Sequence, residues 1–310
     1  MSYSQIDISE VGPAEYPLIA VLRDTIFGEF NHRYAATFAE QIDGRQDVLA
    51  LIAHSEGNPV GYKVGYRDRP GIYYSWTGGV LKDYRGQGLA RRMQDWQHAW
   101  LRARGYKSVT FNSFNKFRPM LRFGLSTGFI PTGIHTRPEN EISIHFTKDL
   151  TQPDPTDPPK LPRAEVHVES VGPNYHGLIA QLATKTIEPR AEEDIDLAMS
   201  NPSPLALLAF VNGKPAGFKI GFARDARRRL FESHLGGVLP EFRNQGVATA
   251  LTRHQIDAVK SLGFPAVRVH TRHDNVPMLR TCLTAGFNIS GMLHDESRGM
   301  TVIALTRSLQ

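Results

Sequence analysis

Cysteine is almost absent from this chain: Cys282 is the only one in 310 residues. A single thiol excludes an intramolecular disulfide and any zinc site built on cysteines, and no metal site is expected. No apolar run approaches the roughly 18–20 residues that a membrane-spanning helix needs. Residues 1–7 lack both a basic stretch and an apolar core, so no secretory signal is expected and the chain is predicted to be cytoplasmic. No basic block interleaved with aromatics points to nucleic acid. The net charge of +5 is mild; it suits an anionic ligand without requiring one. Two phosphate-binding signatures are missing as well. Gly-Lys-Ser/Thr never follows a glycine-rich loop, and neither candidate loop reads Gly-x-Gly-x-x-Gly.

What the chain does contain, it contains twice. Gly78-Gly79-Val80-Leu81 leads into Arg85-Gly86-Gln87-Gly88-Leu89-Ala90, and Gly236-Gly237-Val238-Leu239 leads into Arg243-Asn244-Gln245-Gly246-Val247-Ala248. Outside these segments, Ile8 to Pro13 returns as Val168 to Pro173. Gly57 to Tyr66 returns as Gly213 to Phe222, and Pro119-Met120-Leu121-Arg122 as Pro277-Met278-Leu279-Arg280. A period this long is a duplicated domain, not a solenoid. Between the copies, Pro153, Pro155, Pro158, Pro159 and Pro162 forbid a helix or a central strand, so a stiff linker is expected there. The predicted division is 1–150, a linker over 151–163, and 164–310.

Within each copy, apolar alternation predicts strands over 48–53, 59–66 and 72–81, matched by 205–211, 215–222 and 230–239. Helices reaching about residue 43 and about residue 200 precede them. The helix after each loop places Leu89, Met93, Trp96 and Trp100 on one face, with Val247, Leu251 and Ala258 in matching places. Strands over 108–112 and 266–270 follow, then a helix ending at Gly128-Phe129 or Gly286-Phe287. A strand–helix–strand step requires a parallel pair, while the hairpins before it are antiparallel. The expected fold class is therefore α/β, a mixed and mostly antiparallel sheet in each half, flanked by helices.

The loop chemistry points to an anion. Backbone N–H groups at a helix start have no internal acceptor, and the helix dipole adds positive potential there. Gly88 and Gly246 present no Cβ to an approaching phosphate, Ala90 and Ala248 keep the next turn thin, and Arg85 and Arg243 offer forked donors. A pyrophosphate suits such a cradle.

With this strand–loop–helix written twice, the chain resembles the GNAT superfamily of acetyl-CoA-dependent N-acyltransferases over nearly the full length of both copies. The resemblance implies a central parallel strand pair that splays apart, and a coenzyme A pyrophosphate held by each Arg-x-x-Gly-x-Ala loop. It implies main-chain pairing of the pantetheine arm at Gly79 and Leu81, and at Gly237 and Leu239. A strand bulge is implied too, for which Gly78-Gly79 and Gly236-Gly237 are suitable residues. The family's asparagine matches Asn275 in the second copy; in the first, Phe117 stands there with Asn115 nearby. The family tyrosine that protonates the departing thiolate is replaced by Gly124 and Cys282, which makes Cys282 a candidate thiol acid or a small buried residue. The family base position falls on Ser75 and Ser233, which are able to order a water but not to act as bases unaided.

Other residues are weighed against ordinary roles. Lys63 and Lys219 recur in matching strands and are read as a solvated face, or as lysines facing the cofactor. Strand alternation puts Glu232 and His234 on the face opposite Ser233, which counts against either as the base, and His270 and His273 are read as surface residues beside the next strand, or as reaching the cleft. The acidic residues Glu188, Glu192, Glu193, Asp194 and Asp196 are read as a solvated helix face, or as an attraction for a cationic amine.

Two functions follow. One is transfer of acetyl from acetyl-CoA to a small-molecule or peptide amine. The other is a coenzyme A-binding regulatory or scaffold protein, or a chain with one active and one structural half. Two fused copies would either stand as a pseudo-dimer or assemble further into a homo-oligomer.

Overall fold

A computed structural model describes residues 6–28, 38–156, 161–187, 191–201, 203–224, 230–296 and 299–310, without the side chains of 191–194. Residues 157–160 of the expected linker lie outside the described residues. The chain divides into two compact units, one of residues 1–113, 127–130 and 145–155, the other of 114–126, 131–144 and 156–310.

The first repeat runs β1 (Ile6–Glu10), α1 (Tyr16–Phe27), α2 (Phe38–Ile42), β2 (Leu49–Ser55), β3 (Asn58–Arg69) and β4 (Ile72–Val80). It continues through α3 (Leu89–Ala103), β5 (Ser108–Phe114), α4 (Arg118–Ser126), β6 (Ile130–Thr136) and β7 (Ile142–Asp149). The second runs β8 (Val166–Val171), α5 (His176–Thr186), α6 (Ala191–Met199), β9 (Leu205–Val211), β10 (Lys214–Ala223) and β11 (Phe231–Val238). It ends with α7 (Val247–Ser261), β12 (Ala266–Arg272), α8 (Val276–Thr284), β13 (Asn288–Asp295) and β14 (Met300–Ser308). Each repeat builds a seven-stranded sheet with one topology: β1-β2-β3-β4-β5-β7-β6, and β8-β9-β10-β11-β12-β14-β13. This is the mixed α/β architecture expected from the sequence.

At the centre of each sheet, two parallel strands start together and then part. The β4/β5 ladder has three rungs, ending at Tyr74↔Thr110, while β4 continues against β3 to Val80. The β11/β12 ladder likewise ends at Ser233↔Val269. Beyond those rungs, one edge of β4 and of β11 faces an opening instead of a strand.

The bulge lies earlier than the glycine pairs chosen from sequence. Register slips between Val64↔Thr77 and Tyr66↔Tyr74, and between Ile220↔Leu235 and Gly221↔Ser233, which inserts one extra residue into β4 and β11. The glycines that this requires are Gly65 and Gly221, on the opposite strand. A Cβ at Gly65 would meet the Tyr73 ring and the Tyr74 carbonyl; at Gly221 it would meet the Glu232 carbonyl and the Phe231 ring. Gly78 and Gly79 sit in regular register with Lys63 and Tyr62. Their bareness serves packing: a Cβ on Gly79 would come within 2.8 Å of Ile26, and one on Gly78 within 3.4 Å of the Lys63 stem.

The two faces of each sheet differ. Tyr62 and Val64 bury against Ile19, Leu22, Phe38 and Ile42 of α1 and α2, and Phe218 and Ile220 bury against Ile179, Leu182, Ile195 and Ala198 of α5 and α6. On the opposite face, Gly61 and Gly65 lie against Met93 and Gln97 of α3. The buried stripe of α3 is Leu89, Met93, Gln94, Gln97, His98 and Leu101. Trp96, expected on that face, is 40% exposed; the helix turns its amides and His98 inward instead.

Candidate functional site

The cradle forms in both repeats. Gly88 and Gly246 are the N-caps of α3 and α7, at φ 80° and 96°, in the left-handed region that admits glycine readily. The first intrahelical bonds of the two helices run from Arg92 N–H to the Gly88 carbonyl and from Ala250 N–H to the Gly246 carbonyl, both 3.0 Å. The N–H groups of Leu89, Ala90 and Arg91, and of Val247, Ala248 and Thr249, therefore have no acceptor within their helices. Open space stands before the missing Cβ of Gly86, Gly88 and Gly246. Asn244 replaces Gly86 in the second loop at φ 63°, a conformation asparagine tolerates.

Both arginines brace their own loop. Arg85 Nε donates to the Val80 carbonyl at 2.9 Å, and Arg243 Nε to the Val238 carbonyl at 3.2 Å, leaving the terminal guanidinium nitrogens of each for an anion. Gln245 Nε2 donates to the Glu241 carbonyl at 2.7 Å, and Gln87 makes the longer equivalent to Asp83 at 3.5 Å. With open glycine caps, orphan N–H groups and guanidinium forks, the cradle fits a pyrophosphate.

The strand partners expected for a pantetheine arm need correcting. Leu81 N–H is committed to the Val60 carbonyl, and Leu239 N–H to the Ala216 carbonyl, both at 2.9 Å. Antiparallel alternation then turns the polar groups of Gly79 and Gly237 inward with them. The groups facing the opening are those of Gly78 and Val80, and of Gly236 and Val238.

Asn115 is fully engaged elsewhere. Within the second unit its Nδ2 donates to the Ile289 carbonyl and its Oδ1 accepts from Ile289 N–H, each at 2.9 Å, so it leaves the cofactor set. Asn275 caps α8, accepting from Met278 N–H at 3.3 Å; one amide face stays in use by the helix.

Neither lysine is on a solvated face. Lys219 is 5% exposed and Lys63 is half-buried, and burial pulls the Lys63 ammonium down to about 8 and lowers that of Lys219. Lys63 Nζ donates to Ser75 Oγ at 3.0 Å. Ser75 is thus a partner of a cation, while buried Ser233 has no hydrogen-bond partner. Cys282 is fully buried on α8, and burial pushes its thiol up to about 11, with Lys219 the opposing influence. A thiol so held neither attacks nor readily gives up its proton at neutral pH.

On the other sheet face the repeats diverge. Glu232, 4% exposed, accepts from His270 Nδ1 at 2.7 Å and from Arg224 Nη1 at 3.2 Å. His270 lies one residue beyond the last β11/β12 rung, at the mouth of the opening. It is exposed, as expected, and its Nδ1 is held by Glu232. His234, the bulged residue, has its ring centroid 5.3 Å from that of Phe222, tilted at 53°. In the first repeat Tyr74 and Asn112 take the places of Glu232 and His270, joined at 3.4 Å, and Asn112 also meets His145 at 2.8 Å. Among the described residues, the hydrogen bonds of that group are to Asn112, Tyr74 and His145 and not to a carboxylate. The motif search missed the Glu232–His270 pair because its members are 38 positions apart and meet only across a parallel ladder. Of the acidic run, Asp196 pairs with His176 at 3.2 Å. Glu188 and the side chains of Glu192, Glu193 and Asp194 lie outside the described residues.

Comparison with known proteins agrees with this geometry. The model of the "Acetyltransferase (GNAT) family" matches residues 16–129 and again residues 162–287. Among solved structures, Ard1 from Thermoplasma volcanium is 22% identical, with a TM-score of 0.41 over 47% of this chain and 98% of its own. The ribosomal-protein-S18-alanine N-acetyltransferase from Escherichia coli is 18% identical, with a TM-score of 0.41 over 47% and 95%. An aminoglycoside 6'-N-acetyltransferase complexed with coenzyme A is 14% identical, with a TM-score of 0.40 over 46% and 97%. Two family matches, two splayed sheets and two cradles lead to one conclusion: this chain belongs to the GNAT family of acetyltransferases and carries the family's domain twice.

Proposed function

We propose that this acyltransferase moves the acetyl group of acetyl-CoA to a primary amine by direct attack, and that the second repeat does the chemistry. The observation that carries the assignment is the Glu232–His270 pair beside the second cradle. An ionised carboxylate only accepts hydrogen bonds, so Glu232 fixes the His270 proton on Nδ1 and leaves Nε2 as a proton acceptor. Nε2 takes the proton that an ammonium must lose before its nitrogen can attack. The donor supplies an activated acyl group as its thioester. The chain supplies the cradle at Arg243 to Ala248, the open β11 edge and the base. Direct attack also agrees with Cys282, whose buried thiol is unsuited to carrying an acyl group.

The first repeat keeps the cradle and has no carboxylate–histidine pair of this kind among its described residues. Its reading is a second coenzyme A site without turnover, the half-active form of the two-copy chain.

Amine-dependent release of free thiol from acetyl-CoA tests this. Turnover is expected with some member of a panel of amino acids, polyamines, aminoglycosides and peptide amines, and it is expected to vanish in Gly246→Val but survive in Gly88→Val. Coenzyme A binding with no turnover on any amine would favour the scaffold reading, and loss in Gly88→Val alone would move the chemistry to the first repeat.

A further inference from the structure

Each sheet holds a lysine at the start of its opening, at matching positions, Lys219 buried and Lys63 half-buried, with no anion paired to it among the described residues. Lys63 reaches across β4, its Nζ 3.0 Å from Ser75, the first β4 residue beyond the last β4/β5 rung. The stem lies over Gly78, where a Cβ would be 3.4 Å from Lys63 Cγ; Gly236 gives Lys219 the same room, at 3.3 Å. Such a stem needs a bare strand residue beneath it, and each repeat provides one.

The neighbours that face these ammonium groups are neutral. From α3 comes His98, 1% exposed, whose imidazole is held down to about 3 by burial and by Lys148 and Lys63. Lys148 itself is matched by Asp154 at 2.5 Å. From α8 comes Cys282, whose thiol is held protonated. No carboxylate pairs with Lys63 or Lys219 among the described residues. A buried lysine with no carboxylate beside it is costly to the fold, so a sequence that keeps one at the matching position of each repeat has a use for it.

We infer that Lys63 and Lys219 are the residues that receive the sulfur of coenzyme A, stabilising its thiolate as an ion pair. The inference rests on the acetyl-CoA reading above. As the amine nitrogen bonds to the acyl carbon, the carbon–sulfur bond breaks and its electron pair stays on sulfur. The lysine ammonium holds that sulfur as a thiolate, the proton shed by the new amide nitrogen passes to solvent, and coenzyme A takes one up from solvent when it leaves. The base and the thiolate's partner would then lie on opposite faces of the second sheet: His270 with Glu232 on the α5/α6 side, and Lys219 beside Cys282 of α8.

The test needs no acetyl transfer. Bound coenzyme A is alkylated with iodoacetamide across pH, and the rate is followed by the mass of the coenzyme A adduct, which separates it from Cys282. With the native chain, thiolate reactivity is expected to appear at least one pH unit below that of free coenzyme A. In Lys63→Met/Lys219→Met the profile should return to the free value, a rise of at least one pH unit and a loss of rate of about threefold or more near pH 7, with coenzyme A still bound. Each single substitution should return one of the two bound populations. Methionine removes an unmatched buried charge at similar volume, so the variants are expected to fold, and retained coenzyme A binding verifies it. An unshifted profile in the native chain, or one that the substitutions leave unchanged, overturns the lysine assignment alone. Absence of coenzyme A binding to the native chain overturns the acetyl-CoA reading and this inference together.

Discussion

Replacing His270 with glutamine is expected to lower turnover by about 10²–10⁴-fold, the usual contribution of a positioned general base. Coenzyme A binding should be unchanged, because the cradle at Arg243 to Ala248 lies on a different element from β12. Glu232→Gln should fall between the two. It keeps a hydrogen-bonding group beside His270 but loses the ionised acceptor that fixes the Nδ1 proton, and it leaves the Arg224 guanidinium unmatched. The losses should appear in kcat, since neither side chain belongs to the cradle. Raising the pH deprotonates the amine in solution and so should restore part of the rate in both variants. A purely structural role for the pair would show no such recovery. Asn112→Ala in the first repeat should leave turnover intact; equal losses from it and from His270→Gln would place the chemistry in both halves.

Acid should act on the first unit through His98. Its imidazole is 1% exposed, its Nε2 has no hydrogen-bond partner, and burial holds its pKa near 3. The unfolded chain protonates histidine near pH 6.5, so the unfolded state binds more protons between about 6.5 and 3. A group with its folded pKa depressed contributes stability that is fully present above the unfolded value and is lost as pH falls toward the folded one. Between pH 7 and pH 4 that loss amounts to about 3 kcal/mol, at roughly 1.4 kcal/mol per unit. The second repeat has buried Ile256 at the matching position. His98→Ile should therefore remove most of the acid-dependent loss while packing acceptably beside Phe129, whose ring centroid lies 5.8 Å from that of His98. Urea unfolding at pH 7 and pH 4 measures the difference, and equal pH dependence in the two proteins would contradict the assignment.

Much of the fold was legible because the chain states it twice. The repeated glycines, the loop arginines and the apolar alternation located both sheets, both cradles and the parallel step between β4 and β5. Trp96 misled because helical spacing alone does not distinguish an aromatic from an amide facing the sheet. The α3 helix buries Gln94, Gln97 and His98 above the opening, where polar neighbours of Lys63 are needed. Lys63 and Lys219 misled for a related reason: a lysine in a strand is ordinarily solvated, and the signal of burial lay in the bare glycines opposite, Gly78 and Gly236. Alternation correctly put Glu232 on the face away from Ser233. That counted against it only because the base was sought on the serine side, whereas the partner that gives Glu232 a role arrives from β12. Leu81 and Leu239 were one residue out of phase, a consequence of which groups the β3 and β10 edges already occupy.

The central claim is that both loops are coenzyme A cradles built on a left-handed glycine cap. Equilibrium dialysis with coenzyme A counts the sites. A valine at Gly88 or Gly246 places a branched side chain where φ is 80° or 96° and fills the open ground before the helix N–H groups. Two molecules per chain are predicted for the native protein, one each for Gly88→Val and Gly246→Val, and none for the double variant. Two bound molecules in all four proteins, or none in the native one, would contradict it.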